Sequence, residues 1–501
     1  MSIAFIKSFI DRTTMYRLVL YYLLVLFIVA LVYGALGILP YAPLALLWSI
    51  VVLLSMSWIT NEFFAWAFDA VTNSESVYIT PLILVLILAP VAFTDVTGTI
   101  ALALSAVWAM ASKYLITIEH KHVFNPAALA VVLSGLLLGV PATWWVAGNL
   151  PLLPIILIGG IMVVHKLRKA DLVIACMSVA FITVALTSQN PIAGIQATFL
   201  HSALLFLAFV MLTEPLTMPP TRVLRIMYGA LVGVLFAPAV HLGTFYFSPE
   251  LALLVGNLFS SVVSPKGRFT LSFVERRLLA RGMYEYLFKT NYPLRFSSGQ
   301  YLEWTLGNVA VDTRGNRRFF TIASAPEDPL LALGVRFYDK PSAFKQQLAA
   351  LPVGGVVSAS SLGGDFTLPK DTKRKVAFLA GGIGVTPFAS MARHCVATGD
   401  IRDVVLLYAN KLAAEIAYRD IFTRVSTLGW RVVYVLSDEE VPDTRHGHID
   451  SERIKREIPD YTERLFYISG SPGMVNAMKR ALLTLGVSRF SIKTDFFPGL
   501  A

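Results

Sequence analysis

Between residues 16 and 264 this chain strings together apolar runs with few charges inside them, and that pattern limits what it can fold into. A helix of roughly 20 apolar residues crosses a bilayer. No water reaches backbone amides and carbonyls in the bilayer interior, so such runs must satisfy themselves as helices. Ten stretches qualify, near 16–37, 42–66, 78–94, 98–116, 125–140, 143–164, 171–188, 195–213, 222–241 and 249–264. Several are short or broken by proline and glycine, so nine or eleven spans fit the same pattern. The first run is too long for the apolar core of a cleavable leader and is expected to be a retained helix.

The chain is 56% hydrophobic and 15% charged, against roughly 25% charged in ordinary soluble domains. The imbalance sits in the first half, and residues 265–501 read as a soluble domain. The net charge of +10 does not point to nucleic acid, because no basic tract is interleaved with aromatics. Many basic residues lie in short loops instead. Lys113, Lys121, Lys166, Arg168, Lys169, Arg222, Arg225, Lys266 and Arg268 fall in alternate loops and at the exit of the last run. The loops at 37–43, 139–143 and 187–191 carry no Lys or Arg. That asymmetry predicts a multi-pass protein of the cytoplasmic membrane, with the N-terminus and the soluble half on the cytoplasmic side. Two cysteines, Cys176 and Cys395, are too few for a disulfide framework or a four-cysteine iron–sulfur centre within the chain. No metal site is expected.

Some apolar segments are unusual for plain lipid anchors. Phe124-Asn125-Pro126 reads as a helix start with an Asn cap and Pro in the first turn. Such a start attracts an anion or a polar ring edge, for instance of a flavin. Thr213-Glu214-Pro215 ends another run with a carboxylate, and Thr80-Pro81 interrupts a third. Broken helices at membrane depth line cavities or bind something; ordinary capping and loop chemistry leaves the same pattern. His201 lies within the 195–213 run, where a histidine satisfied inside a bundle is the plainer reading.

The soluble half opens with period-2 alternation, as in Arg268-Phe269-Thr270-Leu271-Ser272-Phe273, and turns at Ser298-Gly299 and Arg314-Gly315. These predict a small antiparallel barrel over 265–370. On it falls Arg318-Phe319-Phe320-Thr321. Alternate strand residues share a face, so Arg318 can pair with a diphosphate while Phe320 lies against an isoalloxazine ring and Thr321 bonds its edge. An amphipathic strand with a solvated arginine has the same spelling. Ser342 is placed to cap a following helix. After Lys375 apolar strands alternate with helices. Val376–Ala380 runs into Gly381-Gly382-Ile383-Gly384-Val385-Thr386-Pro387, a strand, glycine turn and helix start suited to a pyrophosphate. Strands at 404–408, 432–436 and 465–469 make this a parallel α/β sheet.

Two resemblances follow. Ser112-Lys113-Tyr114, Phe124-Asn125-Pro126-Ala127-Ala128 and Thr213-Glu214-Pro215 resemble the flavin-carrying membrane subunits of the Na⁺-translocating NADH:quinone reductase and the Rnf complex, over about residues 40–250. That resemblance implies a bundle in two related halves holding flavin, with Lys113, Asn125, Pro126, Thr213 and Glu214 around it. The motif to which those subunits esterify FMN is missing from Thr187–Thr198, so a second flavin, FMN or riboflavin, is expected to be held without a bond. Residues 265–501 resemble the ferredoxin–NADP⁺ reductase superfamily through Arg318-Phe319-Phe320-Thr321, the glycine turn and Ser469-Gly470-Ser471-Pro472-Gly473-Met474. By that resemblance Arg318, Phe319, Phe320, Thr321, Gln300, Tyr301 and Ser342 hold FAD, and Phe496 or Phe497 covers its face. Gly381, Gly382, Ile383, Gly384, Thr386, Pro387, Gly470, Pro472 and Met474 hold NAD(P)H, with Thr386 and Ser469 at the reacting atoms. Many relatives have Cys where Ser469 stands.

The expected architecture is a multi-domain membrane protein. An all-α polytopic bundle of about ten transmembrane helices (1–264) precedes an antiparallel β-barrel FAD domain (265–370) and a parallel α/β NAD(P) domain (371–501). The expected function is electron transfer from cytoplasmic NAD(P)H through FAD and a membrane flavin to a quinone or an extracytoplasmic flavoprotein. Export is favoured, since reducing a quinone from one side needs no conduit across the bilayer. Two alternatives stand beside it. A haem reductase needs histidine pairs roughly four helical turns apart on two spans, and His120, His122, His165, His201 and His241 offer no such pair. A cofactor-free anchor carrying a reductase is the other.

Overall fold

The computed structural model describes residues 13–68, 74–118, 121–264, 269–291, 293–307 and 316–495. It divides into two units, Met1–Gly267 and Arg268–Ala501. Lys266, Arg268, the turn at Arg314-Gly315 and both Phe496 and Phe497 lie outside the described residues.

The first unit is helical. Its elements are α1 (Met15–Ala35), α2 (Pro43–Ala67), α3 (Ser74–Ile87), α4 (Val96–Leu115), the hairpin β1 (Thr117–Ile118) and β2 (Lys121–His122), and α5 (Pro126–Leu138). There follow α6 (Leu153–Leu167), α7 (Ala170–Thr187), α8 (Pro191–His201), α9 (Leu204–Met211), α10 (Arg222–Phe236), a hairpin of β3 (His241–Leu242) and β4 (Phe245–Tyr246), and α11 (Pro249–Val263). Each of the ten candidate stretches overlaps helix. Among the described residues five helices are long and apolar enough to cross a membrane: α1, α2, α4, the segment Leu150–Leu167 containing α6, and α7. A sixth is possible by length if α8 and α9 count as one span, bent by 62°. Apolar but shorter are α3, α5 and α11.

The shortness has local causes. Asn125 and Pro126 start α5, and Gly139, at φ +69°, ends it after thirteen residues. At the bend His201 is exposed, so it is not a bundle-interior histidine as its place in the apolar run suggested. Leu23, Leu26, Leu46, Leu53 and Phe206 form part of the core, while Trp66 and Leu186 are each 81% exposed and Leu136 is 75% exposed. An apolar exterior of this kind suits lipid. α10 meets α7 through glycine: a Cβ at Gly229 would stand 2.5 Å from the Leu172 carbonyl oxygen, and one at Gly233 would run into that of Cys176. Small residues four apart let membrane helices approach this closely. Arg225, at the start of α10, donates from Nη2 to Asp171 Oδ2 at 2.8 Å, so its buried charge is paired.

The second unit holds two six-stranded sheets. β5 (Phe269–Ala280), β6 (Met283–Thr290), β7 (Tyr301–Thr305), β8 (Arg317–Thr321), β9 (Leu331–Arg336) and, after α12 (Ala343–Ala349), β10 (Val356–Gly363) form the first, in the order β8-β7-β10-β5-β6-β9. Its pairings are antiparallel, and a bridge between Ile322 and Leu333 joins its two edges. Phe288, Trp304, Ile322, Leu333 and Phe344 pack inside it.

The second sheet is parallel. It comprises β11 (Val376–Gly381), β12 (Val404–Asn410), β13 (Trp430–Leu436), β14 (Thr444–His446), β15 (Leu465–Ser469) and β16 (Ile492–Asp495). Between them run α13 (Thr386–Thr398), α14 (Arg419–Val425), α15 (Ser451–Glu457) and α16 (Pro472–Thr484). Apolar clusters cover both faces, as a near-continuously apolar parallel strand requires. Met283, Leu287 and Ala332 of the first sheet, with Ala323 just beyond β8, join the cluster of Phe378, Phe388 and Cys395, so one apolar cluster bridges the two sheets.

Candidate functional site

The parallel sheet runs β14-β13-β12-β11-β15-β16. The chain builds outward from β11 on one side, then returns to build on the other, which makes β11 and β15 a topological switch point. In such sheets ligands enter the crevice at the carboxyl ends of the strands there. Gly381 ends β11 and Ser469, 5% exposed, ends β15. The backbones above them nearly touch: a Cβ at Gly384 would stand 2.6 Å from the Cα of Gly470, and one at Gly381 would run into Met474 Sδ. Gly382 has φ +52°, a conformation glycine adopts without strain. Ile383 lies in the turn between them. α13 then starts at Thr386, with Pro387 in its first turn and no side-chain cap, and uncapped amides at a helix start favour an anion. Thr386 Oγ1 donates to the Ile383 carbonyl at 3.2 Å. Pro472 opens α16, and Ser471 caps it by accepting from the Met474 amide at 3.4 Å.

Both sides of β8 contribute. The Arg318 guanidinium lies over the Phe344 ring, 5.5 Å from its centre, and the Phe320 ring centre is 5.7 Å from that of the same phenylalanine. Arg318 and Phe320 therefore share a face, as strand periodicity requires. Phe319, on the other face, meets Tyr301 edge-on at 5.5 Å. Gln300 spans two loops, accepting from the Ser297 amide at 2.8 Å and donating to the Gly364 carbonyl at 3.3 Å. Ser342 caps α12, accepting from the Lys345 amide at 3.4 Å. Thr321 Oγ1 donates to Asp495 Oδ2 at 3.4 Å, and Asp495 is the strand partner of Ser469.

Residues 378–480 match the model of the oxidoreductase NAD-binding domain. The second unit carries an oxidoreductase NAD-binding domain. The chain is 30% identical over 227 residues to the reductase subunit of an aromatic O-demethylase from Amycolatopsis, covering 44% of this chain and 66% of that protein. It is 26% identical over 204 residues to an NADPH oxidoreductase of Mycobacterium tuberculosis, covering 39% and 51%. Thus it spans just under two thirds of the first relative and about half of the second. Among solved structures, an Amycolatopsis cytochrome P450 reductase aligns with a TM-score of 0.42 at 29% identity, over 46% of this chain and 69% of that one.

Sequence reading missed several residues of the reductase-like domain. Asp495 gave no local signal. Arg336 Nη1 stands 3.3 Å from where a Gly382 Cβ would be, and its Nη2 donates to Glu415 Oε1 at 2.6 Å. Arg393 donates to the Ala323 carbonyl at 3.1 Å and to Glu285, tying α13 to the first sheet. Burial pushes the Cys395 thiol up to about 12, so this cysteine is unreactive.

In the helical unit, Asn125 and Glu214 come together. Glu214 Oε2 accepts from Asn125 Nδ2 at 2.9 Å and from Thr217 Oγ1 at 3.2 Å, and its Oε1 lies 3.2 Å from His122 Nε2. Asn125 caps α5 through the Ala128 amide at 3.0 Å, while its own amide donates to Asn257 Oδ1 at 2.8 Å. Asn257 in turn donates to the Tyr228 hydroxyl at 2.8 Å. Pro126 is the first residue of α5. The other two expected members point elsewhere. Lys113 donates to Ser76 Oγ and Thr80 Oγ1, both at 3.0 Å, and Thr213 Oγ1 donates back to the Phe209 carbonyl at 2.8 Å. His122, Asn257 and Tyr228 were not legible, because tertiary packing alone brings His122 to Glu214 and the other two to Asn125; Thr217 lies one turn from Glu214 in the same segment. Among the described residues no group of three His, Cys, Asp or Glu is placed to hold a metal ion.

Proposed function

We propose that the chain is a membrane-bound, FAD-dependent NAD(P)H oxidoreductase. It delivers electrons through a second flavin, FMN or riboflavin, held without a covalent bond in the helical unit, to a quinone or an extracytoplasmic flavoprotein. One observation carries the reading: the β11–β15 crevice and the β8 motif converge through Thr321, Asp495 and Ser469. The names of the relatives, a reductase subunit and an NADPH oxidoreductase, agree with it.

The residues present fit both cofactors. Gly381 and Gly384 let the turn pack against Met474 and the Gly470 backbone, and Gly382 takes a positive φ; with the uncapped start of α13 this turn would receive the pyrophosphate of the dinucleotide. Gly470, Pro472 and Met474 would border its nicotinamide end. On β8 Arg318 would pair with the FAD diphosphate, Phe320 would pack on the ring, and Gln300, Tyr301 and Ser342 would border it. Bound there, the flavin supplies hydride acceptance from the dihydronicotinamide and release of electrons one at a time. Thr321 holds its hydroxyl proton toward Asp495, so the carboxylate fixes which way that hydroxyl points. Thr386 and Ser469, both buried, would lie at the reacting atoms. In this reading 265–370 holds FAD, 371–501 holds NAD(P)H, and both face the cytoplasm by the distribution of basic loops.

For the membrane flavin the support is the cluster of buried Asn125 with half-buried Glu214 and their partners, since polar groups inside an apolar bundle are costly unless used. The Glu214 carboxylate at the start of α5 repels a phosphate there and favours a neutral ring edge. The test separates the two units. Asn125→Ala and Glu214→Gln should leave NAD(P)H-dependent ferricyanide reduction unaltered and slow electron delivery to quinone or flavoprotein. Unaltered delivery would reduce the helical unit to an anchor.

A further inference from the structure

Beside the hairpin β1–β2 lies an open cleft that borders the Glu214 cluster through His122 and Thr217. Its empty space, mouth included, is about 320 Å³. Lys121, Thr217, Ser260 and Ser264 supply polar lining, and Ile118 and Leu216 supply an apolar wall. The Lys121 ammonium makes no hydrogen bond or ion pair with any of the described residues. Burial lowers its pKa, with the Glu214 carboxylate opposing. That carboxylate is already occupied by Asn125, Thr217 and His122. A partly desolvated ammonium with no hydrogen bond to the described residues is unfavourable, and an anion in the cleft would lower the penalty.

The hydroxyls narrow the chemistry. Ser260 and Ser264 stand one turn apart at the end of α11, their Oγ atoms 3.4 Å from each other. Hydroxyl hydrogens rotate, so both can donate to one multi-oxygen acceptor. A phosphate accepts from an ammonium and two hydroxyls together, and the apolar wall suits a hydrocarbon body attached to it. Basic pockets between membrane helices take lipid headgroups in this way. We propose that this cleft binds the phosphate of a phosphate ester, drawn from either an anionic phospholipid or a soluble phosphate.

The test is thermal unfolding of the full chain in neutral detergent with phosphatidylglycerol, diacylglycerol or inorganic phosphate added. Phosphatidylglycerol should raise the midpoint by several degrees and diacylglycerol should not. Lys121→Met should erase the shift and Lys121→Arg should keep it. An equal shift with inorganic phosphate assigns the site to soluble phosphate, and a shift with phosphatidylglycerol alone assigns it to lipid. Should Lys121→Met fail to fold, Ser260→Ala, which retains the lysine, must weaken the same shift. The proposal is overturned if diacylglycerol matches phosphatidylglycerol, if neither phosphate-bearing probe shifts the wild type, or if a folded Lys121→Met or Ser260→Ala responds like wild type. No electron transfer is read, so the outcome is independent of the proposed activity.

Discussion

Thr321 and Asp495 stand 174 residues apart in the chain, yet the threonine hydroxyl donates to the aspartate carboxylate at 3.4 Å. The bond joins the edge strand of the antiparallel sheet to that of the parallel sheet, and Asp495 pairs with Ser469 in the register of β15 and β16. In the proposed mechanism these three side chains enclose the reacting atoms.

Asp495→Ala should therefore slow ferricyanide reduction by NAD(P)H by roughly tenfold or more, since a hydrogen bond to a charged group contributes about 1.5–3 kcal/mol. Steady-state kinetics at saturating NAD(P)H with flavin content measured in parallel checks this. An unaltered turnover number at full flavin occupancy contradicts it.

Gly384→Ala should weaken dinucleotide binding selectively. Its Cβ would stand 2.6 Å from the Gly470 Cα and 2.8 Å from the Ser469 carbonyl carbon. Backbone cannot yield as a flexible side chain can, and overpacking typically costs about 1–3 kcal/mol. KM for NAD(P)H should rise by about tenfold while bound FAD stays constant, as read by titration and by absorbance.

Arg318→Lys should lose FAD. A lysine keeps the charge but not the planar fork that lies over Phe344. Flavin released from purified variant protein should fall well below that of wild type, and Phe319→Leu, on the opposite face, should retain more.

Asp460 gives a prediction in pH. Hydrogen bonds from Arg464, above all, and from Lys375 hold its carboxyl down from 3.8 to about 2. A depressed carboxylate stabilises the fold above its unfolded pKa, and that contribution disappears as pH falls through the folded value. Asp460→Asn should destabilise the domain at neutral pH, and its gap from wild type should close between about pH 4 and pH 2. Urea unfolding followed by tryptophan fluorescence measures it.

Local signals were legible in the sequence and long-range meetings were not. The glycine turn 381–384 could be read because strand, turn and helix start follow one another directly. Arg318 and Phe320 could be assigned to one face from strand periodicity alone, and Asn125 to a cap from its proline. Asp495 could not, because only the order of two sheets brings it to Thr321. Nor could the bond between Asn125 and Glu214, 89 residues apart, or the glycine contact of Gly229 with the backbone of α7. Apolar counting located the helices of the first unit but not their lengths. Caps, prolines and the break at His201 decide where they begin and end.

The central claim is two flavins in one chain, and the direct measurement is the cofactor content of detergent-purified protein. A visible spectrum followed by acid precipitation and chromatography of the released flavin reads it. The account predicts FAD together with FMN or riboflavin in the soluble extract, and no Soret band. FAD alone with full delivery to the acceptor, or a Soret band, would contradict it.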